Sequence, residues 1–365
     1  MKTIAKKAAA LLLCLALACT ALTACAGSAA GDSLPQEPVS STADTAGESA
    51  GSDGQDAPAP GEEDPAQGLT IRLGGLKGPT SMGMVKLLSD AENGNTANAY
   101  EFTLAAAADE LTPLLVQGQM DILAVPANLA SVLYNKTEGG VQLLAINTLG
   151  VLYVVEKGGE TVNSLADLKG KTVYATGKGN TPEYCLNYLL AQNGLTLGED
   201  VQVEWKSEAT EVVSQMATEE SAVALLPQPF VTVAQTQLEG LRVALDLTAE
   251  WNALENGSTL VTGVLVVRRA FAQEHPAELQ AFLQEYAAST QFANDQPAEA
   301  AQLIEQYGIV KAAVAEKALP YCNIVCLTGE EMQSKAGAYL QVLFDQNPAS
   351  VGGSLPGEDF YWSAD

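Results

Sequence analysis

The chain has 365 residues, 47% of them hydrophobic, and carries 44 acidic against 18 basic side chains, a formal net charge of −26. That length accommodates two ordinary domains with cores of their own. A field of this sign repels phosphate backbones and anionic lipid heads, which argues against nucleic acid as a partner. It does not bear on a small ligand, because local donors outweigh a distant, screened field.

At the N-terminus Lys2, Lys6 and Lys7 precede the apolar run Ala8–Ala18, and Leu22-Thr23-Ala24-Cys25 closes it. A basic stretch, a short apolar run and small residues at a cleavage point make an export signal, too short to span a bilayer. An ordinary secretory signal is one reading. The four closing residues also resemble the bacterial lipobox, in which the cysteine is lipidated and becomes the new N-terminus, so Cys25 is the expected lipid carrier. Residues 26–68 hold nine acids and no Lys or Arg among small residues and prolines. Such a stretch cannot bury enough apolar surface to fold, and as a coil it spans roughly 35–40 Å. It reads as an acidic tether.

From residue 69 short apolar strands alternate with helical stretches. LTIRL precedes a helix from about Thr80, YEFTL one from Asp109 and DILAV one from Asn128, and VQLLAIN is a fourth strand. A second series runs KTVYA, a helix from Thr181, VQVEW, a helix from about Glu208, AVALL and Pro227. Alternation of this kind indicates parallel sheet with right-handed crossovers. Thr80 to Pro126 and Thr181 to Pro227 are both 46 residues, and an offset of 101 also lays Glu110 on Glu211 and Ile122 on Val223. Identity across the offset is low, so chance alignment stands beside duplication. The duplication reading predicts two similar α/β lobes. The apolar runs 149–157 and 259–267 would join them as a two-strand hinge, with Gly150 and Gly263 as bending points. Helices are expected near Pro276–Asn294, Pro297–Tyr307 and Glu330–Phe344. The expected divisions are 1–25 signal, 26–68 tether, 69–157 lobe one, 158–259 lobe two, and 260–365 returning to lobe one.

Open α/β sheets bind ligands beyond the carboxyl ends of their strands, so two facing lobes place several such ends on one cleft. Lobe one brings Gly78, Thr80 and Ser81 in Gly78-Pro79-Thr80-Ser81, with Asn128 and Thr148. Lobe two brings Gly179, Asn180 and Thr181 from Thr176–Thr181, with Gln228. Glycines leave backbone N–H groups open, and Thr80 or Ser81, and Asn180 or Thr181, suit helix caps. Two helix starts would then grip one polar or anionic group in a cleft of hydroxyls and amides with few titratable side chains. Each loop taken alone also reads as an ordinary capped turn.

Catalytic signals are sparse. Gly177-Lys178-Gly179 fails the dinucleotide pattern because its third glycine position is Pro182, and no P-loop sequence exists. The lone His275 precedes Pro276 at an expected helix start, far from the cleft loops. Outside the signal remain Cys185, Cys322 and Cys326, an odd number, and Cys322-x3-Cys326 near no histidine is a poor metal motif. Buried thiols and no metal are expected. Trp205 and Trp251 read as core or rim, with Trp251 able to cover a ligand.

KGPTSMGMVKLL, MDILAVPANLASVLYNKTEGGVQLLAINTLGVLYVVEKG, DLKGKTVYATGKGNTPEYCLNYLL, LLPQPFVTVAQ and QNPASVGGSLPGEDFYW together resemble ABC-transporter substrate-binding lipoproteins of the nitrate/sulfonate/taurine and NMT1/THI5-like group, from about Leu69 to Tyr361. The resemblance implies the bilobed type II periplasmic-binding fold and no cofactor. It implies a monomer outside the cytoplasm, held to the membrane by its lipid alone, with a membrane permease and its ATPase as partners. It puts ligand contacts on Thr80, Ser81, Asn128, Thr148, Asn180, Thr181 and Gln228 and leaves the solute open. A sensor or scaffold that binds solute without transport is an alternative. An exported enzyme akin to the pyrimidine synthases of this fold fits less well, since those use an active-site histidine and a cysteine-rich motif.

Overall fold

Residues 68–364 are described by the computed structural model, so the expectations for the signal, Cys25 and nearly all of the tether lie outside the described residues. The first half runs β1 (Thr70–Leu76), α1 (Pro79–Met82), α2 (Val85–Glu92), β2 (Ala99–Ala105), α3 (Ala108–Val116), β3 (Ile122–Pro126), α4 (Ala127–Lys136) and β4 (Val141–Leu149). After Gly150 come β5 (Leu152–Lys157), β6 (Thr172–Ala175), α5 (Thr181–Gln192), β7 (Gln202–Trp205), α6 (Ala209–Thr218), β8 (Ala222–Pro227), α7 (Phe230–Gln237), β9 (Leu241–Asp246) and α8 (Leu247–Asn252). The chain returns along β10 (Val261–Arg268). It continues through α9 (Arg269–Glu274), α10 (Pro276–Asp295), α11 (Pro297–Gln306), α12 (Ala312–Ala318), β11 (Ile324–Leu327) and α13 (Gly329–Gln346).

Two sheets form, ordered β11-β4-β10-β3-β1-β2 and β7-β6-β8-β5-β9. Leaving out the edge strand β11, they are the same sheet built twice. In each, two parallel pairings join the first three strands of a half, and one antiparallel strand is wedged between the third and fourth. The wedge strands are β5 and β10, the runs that follow each crossing. The sheets are therefore mixed rather than purely parallel. Both wedge strands are almost wholly buried, while the edge strands β2 and β7 alternate. That difference is why the crossing runs read as unbroken apolar sequence.

Two expectations about the junction need correction. β5 belongs to the second sheet, so the crossing falls at Gly150–Val151 rather than after Lys157. The two apolar runs are also not paired with each other along their length. They touch where Leu149 pairs with Val261, and a Cβ on Gly150 would lie 2.1 Å from Thr248 Oγ1 and 3.1 Å from Leu260. Gly150 is thus needed for close packing of the crossings, and its carbonyl accepts from Asn323 Nδ2 at 2.5 Å. Gly263 lies inside β10, at an irregularity in its pairing with β4.

The helix expected from Thr80 is two helices. In an unbroken helix the Leu87 N–H would bond to the Gly83 carbonyl. Instead Ser289 of α10 inserts its hydroxyl, donating to Gly83 O at 2.6 Å and accepting from Leu87 N at 3.0 Å. A side chain inserted in the ladder is a recognised cause of a kink. α10 also approaches closely here: a Cβ at Gly83 would stand 3.0 Å from Tyr286 Oη, a tight contact.

Lobe two buries one carboxylate. Glu156 accepts from the Thr161 hydroxyl and N–H, from Val162 N–H and from Arg242. Burial alone would raise its pKa, but these donors outweigh it and hold it at about 2. A pKa depressed by folding adds stability above the ordinary carboxylate range and loses it as pH falls toward the folded value. Acid titration should therefore remove about 2–3 kcal/mol between pH ~4.5 and ~2, and Glu156→Gln should flatten that part of the stability curve. An unchanged curve in the variant would place the acid sensitivity elsewhere.

Cys185 and Cys322 are buried and Cys326 is half-buried, all as free thiols. Burial pushes Cys322 up to about 12 and Cys326 to about 11. Trp251 is fully buried between Tyr188 and Tyr339, and its Nε1–H donates to Ser258 Oγ at 3.0 Å, so it is core and covers no ligand. Trp205 is half-buried against the core. His275 caps α10 by position alone. Its side chain makes no cap bond, and its ring lies 5.0 Å from that of Phe271.

Candidate functional site

A cavity of about 610 Å³ opens between the lobes, within the usual size range of small-molecule sites. It sits at the carboxyl ends of strands from both sheets. Leu76 faces it from β1, Ala106–Ala108 follow β2 and Pro126 ends β3. Gly177, Ser207–Ala209 and Pro227 stand at the matching places of lobe two. Leu76 and Gly177, Ala107 and Glu208, and Pro126 and Pro227 are each 101 residues apart, so the duplication frames the cavity. α3 and α6 begin at its wall. Glu110 accepts from the N–H groups of Ala106 and Ala107, and Glu211 from Ser207 N. The two equivalent acids thereby cap the starts of α3 and α6 and offset the partial positive charge there.

A family model described as "NMT1/THI5 like" matches residues 105–300, more than half of the chain. The chain belongs to the NMT1/THI5-like family. No curated protein matches the sequence significantly. Among solved structures, an ABC transporter protein from Parabacteroides distasonis superposes with a TM-score of 0.66 at 23% identity, over 80% of this chain and 99% of the other. The periplasmic aliphatic sulphonate binding protein of Escherichia coli gives 0.64 at 17%, covering 80% and 92%. The alkanesulfonate-binding protein of Xanthomonas axonopodis pv. citri, bound to MOPS, gives 0.62 at 16%, covering 80% and 96%. These likenesses show the bilobed fold of periplasmic binding proteins.

In this NMT1/THI5-like chain Asn180 is the one expected contact residue that lines the cavity. Gly78, Thr80, Ser81, Asn128, Thr148, Thr181 and Gln228 are buried, and Gly179, though exposed, does not line it. α1 is a single turn capped by Gly78, with no side-chain cap. Ser81 Oγ instead donates to Leu76 O at 2.7 Å, and the Thr80 carbonyl accepts from Asn147 Nδ2 at 3.0 Å. Thr148 donates to Asn147 Oδ1 at 3.1 Å, and Gln228 Oε1 accepts from Thr232 Oγ1 at 2.9 Å. Asn128 donates to Gly179 O at 3.4 Å and to Ser350 O at 3.1 Å, while Thr181 Oγ1 donates to Asn128 Oδ1 at 3.3 Å. The bonds of Asn128 to Gly179 and Thr181 join lobe one to lobe two directly. The cavity lining is also more apolar than expected, with alanines, prolines and valines outnumbering hydroxyls and amides.

The residues that sequence reasoning missed are instructive. Lys77 lines the cavity and, among the described residues, has no carboxylate partner within ion-pair distance. Its position directly after a strand end was a usable signal. Phe230 and Val233 come from α7, inside the segment LLPQPFVTVAQ. Glu305, Lys311 and the turn between α11 and α12 form a further wall. Nothing local marks that turn as belonging to a site, because it arrives through the chain's return to lobe one. Among the described residues no group of His, Cys, Asp and Glu could hold a metal ion, and no helix is long and apolar enough to cross a membrane.

Gly263 has a role other than hinge. A Cβ there would stand 2.5 Å from Thr80 Cγ2 and 2.7 Å from Asn147 Oδ1, so glycine lets the buried Thr80–Asn147 pair approach β10. Gly263→Ala should cost about 1–3 kcal/mol through overpacking, read by urea denaturation. A cost near zero would mean that the strand shifts freely and the glycine is dispensable.

Proposed function

We propose that this protein is an extracytoplasmic lipoprotein that captures a small organic solute between its lobes and delivers it to an ABC importer. The cavity carries the reading: it lies where strand ends from two copies of one unit meet, in a family and fold whose solved neighbours include a ligand binding component of an ABC-type import system. Lys77, which among the described residues has no carboxylate partner, favours an anionic group on the solute. The Thr210 hydroxyl donates to Glu208 at 3.3 Å on the cavity wall, but this contact is solvent-exposed and His275 is absent from the cavity, which favours binding without chemistry. Solute should draw the lobes together and be recovered intact. X-ray scattering with and without the solute that co-purifies, identified by mass spectrometry, tests this. An altered product released at catalytic yield would favour an enzyme. For the anchor, a fatty-acid probe should label wild type and spare Cys25→Ala; equal labelling removes the lipoprotein part of the proposal.

A further inference from the structure

Resting on the solute-binding reading, we infer that the solute carries an apolar body and that the turn joining α11 to α12 selects for it. The fold gives this turn to lobe one, yet α12 packs against α7 of lobe two. The turn therefore bridges the cleft and walls the cavity at once. Ile309 is buried, Val310 and Val314 are half-buried, and all three line the cavity together with Phe230 and Val233 of α7. The charges on this wall satisfy one another. Lys311 pairs with Glu305 at 2.9 Å, and Glu305 also accepts from Ala312 N at 2.9 Å. What the turn, the start of α12 and the facing side of α7 offer a solute is apolar side-chain surface contributed from both lobes. A solute without a carbon skeleton would leave that surface wet when the lobes close, whereas an apolar body would fill it.

Straight-chain carboxylates from acetate to octanoate, with nitrate as an inorganic probe, test this by calorimetry on the full chain in detergent. Affinity should rise by about fourfold per added methylene until the cavity is filled, and nitrate should bind weakest. The double change Val310→Ser and Val314→Ser should flatten the rise, cutting the gain per methylene well below fourfold. Val116→Ser, on an exposed site at the far end of α3, should alter nothing. A flat series, nitrate binding as tightly as octanoate, an unaltered slope in the double variant, or no binding by any member would each overturn the inference. Native mass spectrometry separates the two failures. A polar solute without an apolar skeleton, carried by the purified chain, overturns the inference and leaves solute binding standing. A chain that carries nothing and binds no fraction of a cell extract overturns both.

Discussion

Asp121→Ala should lower the unfolding free energy by about 3 kcal/mol, the lower end of the cost of breaking a buried ion pair. Asp121 is 1% exposed at the start of β3. Its Oδ2 accepts from Arg72 N at 3.0 Å and Arg72 Nε at 2.9 Å, and its Oδ1 accepts from Arg72 Nη2 at 2.6 Å and Arg268 Nη2 at 3.0 Å. One carboxylate thus ties β1, β3 and β10 together. Burial alone would raise its pKa, but the Arg72 and Arg268 bonds hold it below the ordinary value. Its contribution is consequently present at neutral pH and lost as pH falls into the acid range. Removing it leaves two guanidinium groups facing each other. Both are partly solvated, at 36% and 24% exposure, which is why the lower figure is expected. Asn in its place keeps one acceptor and should cost less. Because Asp121 sits at the amino end of the sheet, opposite the cleft, solute affinity should be unchanged in the folded variant. Urea denaturation decides the matter, and a loss below 1 kcal/mol would show that solvent satisfies the arginines instead.

The second large effect is expected at the cavity. Ala107→Trp should weaken solute binding at least a hundredfold, about 2.7 kcal/mol, with little change in stability. Ala107 is the extended residue before α3 and lines the cavity half-buried, so an indole there takes up solute space without entering the core. The matching control is Val116→Trp, whose site is 57% exposed at the other end of the same helix. Calorimetry with the co-purified solute, beside thermal melts of both variants, separates binding from folding. Wild-type affinity in a folded Ala107→Trp protein would move the seat away from this cavity, toward the junction of Asn128 and Thr181.

Much of the architecture was already legible in the order of residues. Strand and helix periods are local, and the distance from Thr80 to Pro126 repeats from Thr181 to Pro227 because both halves fold as the same unit. The carboxyl-end rule pointed to the loops after the strands, where Asn180, Ala106 and Ser207 line the candidate cavity. What the order of residues could not decide was how deeply each loop lies once the lobes meet. Thr80, Asn128 and Thr181 carry the side chains a polar site wants, yet buried polar groups need partners wherever they lie. Here Asn147, Ser350 and the opposing lobe supply them. The same limit hid Ser289, which breaks a helix 202 residues upstream in the chain, and the α11–α12 turn, which reaches the cavity only because the chain returns to its first lobe. Periodicity records each segment's own preference for helix or strand. Contact across long separations depends on loop closure and packing, which no local pattern encodes.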